Sequence, residues 1–158
     1  MAKYIGAKIL GVDVDKASSS VQEHPLGLRV QAIDSTYGVR EYEYVKAGAA
    51  VAATDAVRAD HAEEDLSVMP VEAADLPIRG VAHVAISDNE FAFIVVEGAV
   101  LVKAAATVVA GQPAVPTATA GTLDDTAATA ANALAHAAGV GATFLSTTAS
   151  GTATVLLK

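Results

Sequence analysis

Apolar and polar residues alternate along two early stretches, "LRVQAI" from Leu28 and "REYEYVK" from Arg40. A period of two is the signature of a strand with one covered face. In the second stretch Tyr42 and Tyr44 fall on one face and Glu41 and Glu43 on the other. Aromatic and β-branched residues favour a pleated strand over a helix. Arg40 and Lys46 flank this strand and read as surface charges. "KAGAAVAATDAV" follows, with Gly48 as a bend and Thr54-Asp55 as a turn. Residues 58–77 are acidic and interrupted by Pro70 and Pro77, which predicts a loop with at most a short strand near Val68.

The pattern then changes. "GVAHVAISDNEFAFIVVEG", residues 80–98, predicts a strand from Val81 to Ile86, a turn at Ser87-Asp88-Asn89, and a strand from Phe91 to Val96. Short polar side chains bond the nearby backbone, and Asn tolerates a positive φ. In the second strand Phe91, Phe93 and Val95 share one face while Ala92, Ile94 and Val96 share the other. Both faces are apolar, so both should be covered. "GVGATFLSTTASGTATVLL", residues 139–157, has the same shape. "YVKAGAAVAATDAV" also reads against "LVKAAATVVAGQPAV", with Lys46 and Lys103 separated by 57 positions and Gly80 and Gly139 by 59. Agreement in order and spacing points to a repeat, about residues 41–97 and 98–157. Two units are too few for a solenoid. Two half-sheets that pack or close on each other hide the edges each leaves open.

The expected fold is therefore all-β, a small barrel or sandwich of two related halves occupying residues 28–158. A closed barrel and an open sandwich both fit the pattern. One segment resists it: "LDDTAATAANALAHAAG", residues 123–139, has Asp124 or Asp125 as an N-cap, and Ala127, Ala131, Leu134 and Ala138 on one helical face. It reads either as a short helix or as an Ala/Thr loop. Residues 1–27 read as an extended N-terminal arm. "DKASSSVQEHPLG" is polar and turn-rich, and Ile9, Leu10, Val12 and Val14 form a short strand with nothing local to pair with.

Composition narrows the chemistry. The chain of 158 residues has no Cys, which removes disulfides and thiolate sites together. Only 4% of it is aromatic, so the core must be built from Val, Ile, Leu and smaller residues. A formal charge of −8, with ten scattered basic residues against eighteen acids, argues against direct nucleic-acid binding. No run approaches the roughly 18–20 apolar residues of a membrane span. The start lacks the long apolar segment and cleavage site of a signal peptide.

The search for catalytic motifs finds no nucleophile elbow, no Walker glycine loop and no H-E-x-x-H. His24, His61, His83 and His136 stand at no metal-pair spacing. "DVDKASSSVQEH" begins like a calcium loop but places Ala17 and His24 where ligands belong. "DHAEED", residues 60–65, could hold a metal through His61 with Asp60 or Glu64, although a solvated charge run is the commoner case. His83 shares a strand face with Val81 and Ala85 and reads as a partly buried histidine bonded to backbone. Tyr42, Tyr44, Phe91 and Phe93 form either an aromatic platform or the large residues of a small-residue core. The expectation is a protein with no catalytic residue, no metal and no cofactor.

"LGLRVQAIDSTYGVREYEYVKAGAAVAATDAV", residues 26–57, resembles the opening of tailed-bacteriophage head decoration, or cement, proteins. "RGVAHVAISDNEFAFIVVEG", residues 79–98, resembles the G-V-A hairpin of the same group, and "GVGATFLSTTASGTATVLLK" its terminal hairpin. Residues 1–25 and 117–138 depart from the pattern. The resemblance implies a structural virion protein on the outer surface of an assembled phage head, stabilising it by cross-linking capsomers. Its implied partners are the major capsid protein and itself, as a homotrimer, with no nucleic acid and no membrane. On this reading Ile9, Leu10, Val12 and Val14 of the arm add to a neighbouring sheet edge. Two rival readings remain: a ligand-binding barrel, for example for carbohydrate, and a trimeric enzyme with a shared site near His83 or His61.

Overall fold

A computed structural model describes residues 11–60, 67–72, 77–105, 107–125, 141–148 and 151–158. The described residues form an all-β protein of ten strands. These are β1 (Arg29–Asp34), β2 (Gly38–Ala47), β3 (Ala56–Ala59), β4 (Ser67–Pro70), β5 (Gly80–Val81), β6 (Phe91–Ala104), β7 (Val115–Pro116), β8 (Leu123–Asp124), β9 (Ala142–Phe144) and β10 (Gly151–Leu157).

Five of them close a ring. β2 runs antiparallel to β6 from Glu41↔Glu97 to Lys46↔Phe91 and parallel to β4 at Lys46↔Ser67 and Ala47↔Val68. β4 pairs β3, β3 pairs β5, and β5 returns to β6 at Val81↔Val95. Closure leaves none of these strands with an open edge along its paired length. The inward residues are small or β-branched, which suits so narrow a ring. Val45, Ala47, Val57, Val68, Ala92 and Ile94 form one buried cluster with Val51, Ala82 and Ile86.

The same order of pairings recurs further along the chain. The second half of β6 runs antiparallel to β10, from Gly98↔Leu157 to Ala104↔Gly151. It runs parallel to β8 at Ala104↔Leu123. β8 pairs β7, and β9 pairs β10. A bridge between Pro113 and Thr143, with Ala114 N–H bonded to Ala142 O, links the last two segments. Val102 and Ala104 stand 57 positions after Val45 and Ala47, and the bridge Val51↔Ile86 has its counterpart in Val108↔Thr148. Val100, Val102, Leu123, Phe144, Ala153 and Val155 belong to the larger buried cluster.

Both rings own part of β6, which runs unbroken past the boundary the sequence suggested between Glu97 and Gly98. The strand pivots there. Gly98 has a φ of +101°, and a Cβ on it would lie 2.8 Å from Val39 O. A register shift between Glu41 and Tyr42 falls opposite. Only glycine meets both demands at low cost.

Other expectations need revision. Val81–Ile86 is not one strand: β5 has two residues, and Ile86 makes an isolated bridge to Val51. Thr54 and Asn89 do sit in left-handed turns, at φ 74° and 61°. The helix or loop expected over residues 123–139 lies mostly outside the described residues, and its first two positions are strand β8. Residues 11–27 do not form a detached arm. Ser19 bridges Phe91, Gly27 N–H bonds Tyr44 O, and Val12 and Val14 are buried in the chain's own core. Ile9 and Leu10 lie outside the described residues. The local pattern concealed this docking because the partner strand is some seventy residues away.

Replacing Gly98 with Ala should cost about 3 kcal/mol through the strained φ and the clash with Val39 O. Gly111→Ala is the control, because its φ is also positive but the space around it is open. It should cost about 1 kcal/mol. Urea unfolding of both variants measures the difference, and equal losses would remove the pivot role assigned to Gly98.

Candidate functional site

The aromatic residues of β2 and β6 meet on the outer face of the first ring. Tyr44 lies 4.9 Å from Phe93, stacks on Phe91 at 6.2 Å with the rings 13° apart, and takes the edge of His24 at 5.1 Å. Such offset and edge contacts suit the ring quadrupoles. This group is no open platform. The docked segment 11–27 covers it, Tyr42, Tyr44 and Phe93 are buried, and Phe91 is half-buried. Tyr44 Oη accepts from Glu23 N–H at 3.1 Å. Ser18 bonds Glu90, and Lys16 pairs with Glu23. The void left among Asp13, His24, Tyr44 and Phe91 is about 10 Å³, room for about one water. These residues therefore hold the N-terminal segment in place.

His83 is the second clasp on that segment. Its Nε2 lies 2.7 Å from Val14 O. A carbonyl can only accept, so Nε2 carries the hydrogen. The ring meets Tyr42 edge-on at 5.2 Å, and Asp15 Oδ1 lies 3.5 Å from Nε2. The buried Nδ1 has no hydrogen-bond partner. Burial holds the His83 imidazolium below its usual range, against the smaller upward pull of the Val14 bond and Asp15. His83 also borders a cleft of about 240 Å³ lined by Asp15, Tyr37, Arg40 and Thr54.

Arg40 reverses the surface reading of its sequence. It is buried, its Nη1 lies 3.2 Å from Asp34 Oδ2, and its Nε donates to Ala99 O at 2.6 Å. Tyr37 stacks beneath the guanidinium at 4.2 Å. Asp34 Oδ1 accepts from the backbone of Thr36 and Tyr37 at 2.7 and 3.0 Å, which shapes the β1–β2 turn. Glu43 departs from its expected open face too. It is buried, bonded to Arg79 and 3.2 Å from Arg29.

What the surface offers is apolar contact beside acid. Ile33 and Val39 are exposed and face each other directly across β1 and β2. A groove of about 510 Å³ runs next to them, lined by Gln31, Val39, Glu41, Glu97, Leu156 and Lys158. Val21, Val109 and Leu145 are the other exposed large apolar residues among those described. Sequence reasoning missed this face because alternation marks Ile33 and Val39 only as outward positions. The Asp13–Asp15 stretch closes on itself, with Asp15 N–H bonded to Asp13 Oδ1 at 3.1 Å. His61 and Glu64 of the acidic run lie outside the described residues.

Comparison of the chain with protein-family models and with curated proteins returned no match.

Two outcomes test the buried polar groups. Asp34→Ala strands Arg40 in a buried site and should cost about 3–5 kcal/mol, read from urea unfolding. His83 sets a pH dependence. Its folded state favours the neutral ring, so the unfolded chain binds more protons at acid pH. Stability should hold above pH 6.5, the usual histidine value, and fall as pH drops below it. In His83→Gln that decline should be smaller, measured as urea midpoints across the pH range.

Proposed function

We propose that this protein is a structural component of a tailed-phage virion. It binds the outer surface of the assembled head and stabilises the shell by bridging capsomers, and it does no chemistry. The observation that carries the reading is where the resembling residues lie. The E-Y-x-Y-V-K-A stretch is β2, and the aromatic stretch after the D-N turn is the first half of β6. Together they form the spine of the first ring. The aromatic side chains there pack against the chain's own N-terminal segment, so adhesion falls to other surfaces of the molecule.

A cement protein works by mass action: it stabilises the shell to the extent that it prefers assembled shell to free subunits. A homotrimer multiplies modest contacts through avidity. The major capsid protein is the proposed partner. Val12 and Val14 are taken into the chain's own core, so the shell contact falls to exposed apolar residues such as Val21, Val109 and Leu145. The net charge of −8 suits a surface that faces solvent.

Purified heads should contain this protein at a fixed ratio to the major capsid protein, in threes at each occupied position. Native mass measurement of intact heads gives the count. Heads stripped of it should release DNA at a lower temperature and recover on its return. Absence of the protein from purified particles would end the proposal.

A further inference from the structure

Among the described strands β1, β7 and β9 each pair with one named strand; residues 111–114 bond the second side of β9 and β7 is only two residues long, so β1 presents the longest open edge. Its free side can be read from the bonding around it. Tyr44 N–H donates to Leu28 O, while Ala47 N–H donates to Glu90 O. Even-numbered residues of β2 therefore face β1, and odd-numbered ones face β6. By the pairing Val30↔Tyr42 and Ala32↔Arg40, the even residues of β1 spend their backbone groups on β2. Arg29, Gln31 and Ile33 then direct theirs to the open edge.

Open strands are usually blunted by proline, a bulge or shortness. β1 has none of these: it is six residues long, proline-free, and in unbroken register with β2, and its one edge cation, Arg29, is paired with Glu41 and Glu43 of its own chain. We infer that this edge pairs antiparallel with β1 of a second copy, about a twofold axis at Gln31. The register places Gln31 against Gln31 of the second copy and Arg29 against its Ile33. No like charges meet. The methylene stem of each Arg29 can cover the exposed Ile33 opposite, and the guanidinium keeps its bonds to Glu41 and Glu43. On the other face Val30 meets Ala32. The contact is isologous, so it joins copies in even numbers and leaves other surfaces free for a trimer.

Sedimentation velocity of the full chain across a dilution series should show a concentration-dependent species with an even number of chains. Gln31→Pro removes an N–H that points away from β2, so it should keep the circular dichroism and melting of the parent. It should weaken association by roughly tenfold or more by leaving a facing carbonyl unpaired. Ile33→Lys is the second variant, should Gln31→Pro disturb folding, and should act the same way. A synthetic peptide of residues 1–10 should leave the distribution unchanged. A parent that stays monomeric or forms only odd-numbered species would overturn the inference. So would a folded variant that associates like the parent, or displacement by the peptide, which would assign the edge to that segment.

Discussion

The structure hangs on the buried pair Arg40–Asp34. Two charges taken from water are a liability unless each is fully engaged. Here Arg40 spends its guanidinium on Asp34, on Ala99 O and on the face of Tyr37, while Asp34 also fixes the turn between β1 and β2. Ala99 follows the pivot glycine. One cluster thus ties β1, β2 and the bend of β6 together, at the place where β6 leaves the first ring for the second. The positive φ at Gly98 and the register shift at Glu41/Tyr42 are tolerated because this cluster holds the backbone around them.

Much of the β character was legible in the sequence. Alternation located β1 and β2, the D-N turn predicted the left-handed Asn89, and the spacing of Lys46 from Lys103 matches that of corresponding ladder positions. The rest was hidden for a physical reason. Strands as short as β5, β7 and β8 leave too few residues to show a period. The docking of residues 11–27 depends on partners at 83 and 90–93, which no local pattern can reveal. Arg40 looked like a surface charge because its counterion sits across a hairpin turn. The aromatic residues were correctly singled out, but their role as a seat for the N-terminal segment needed coordinates.

The two clasps on that segment differ in kind. The Tyr44 group holds it by ring packing and by the bond from Glu23 N–H to Tyr44 Oη. His83 holds it by a single hydrogen bond from a ring whose other nitrogen is buried and unpartnered. Adding a proton there charges a buried ring whose Nδ1 has no acceptor, although Asp15 Oδ1 lies 3.5 Å from Nε2. Burial of the ring outweighs the favourable pull of the Val14 bond and Asp15, so acid lowers the stability of the folded chain through His83.

Because one strand serves both rings, no linker separates them among the described residues. Tension applied across the body would be borne in shear along the β2–β6 and β6–β10 ladders, where many backbone bonds must fail together. The molecule is built like a single bent bracket, whose stiffness comes from sharing a beam between two hoops.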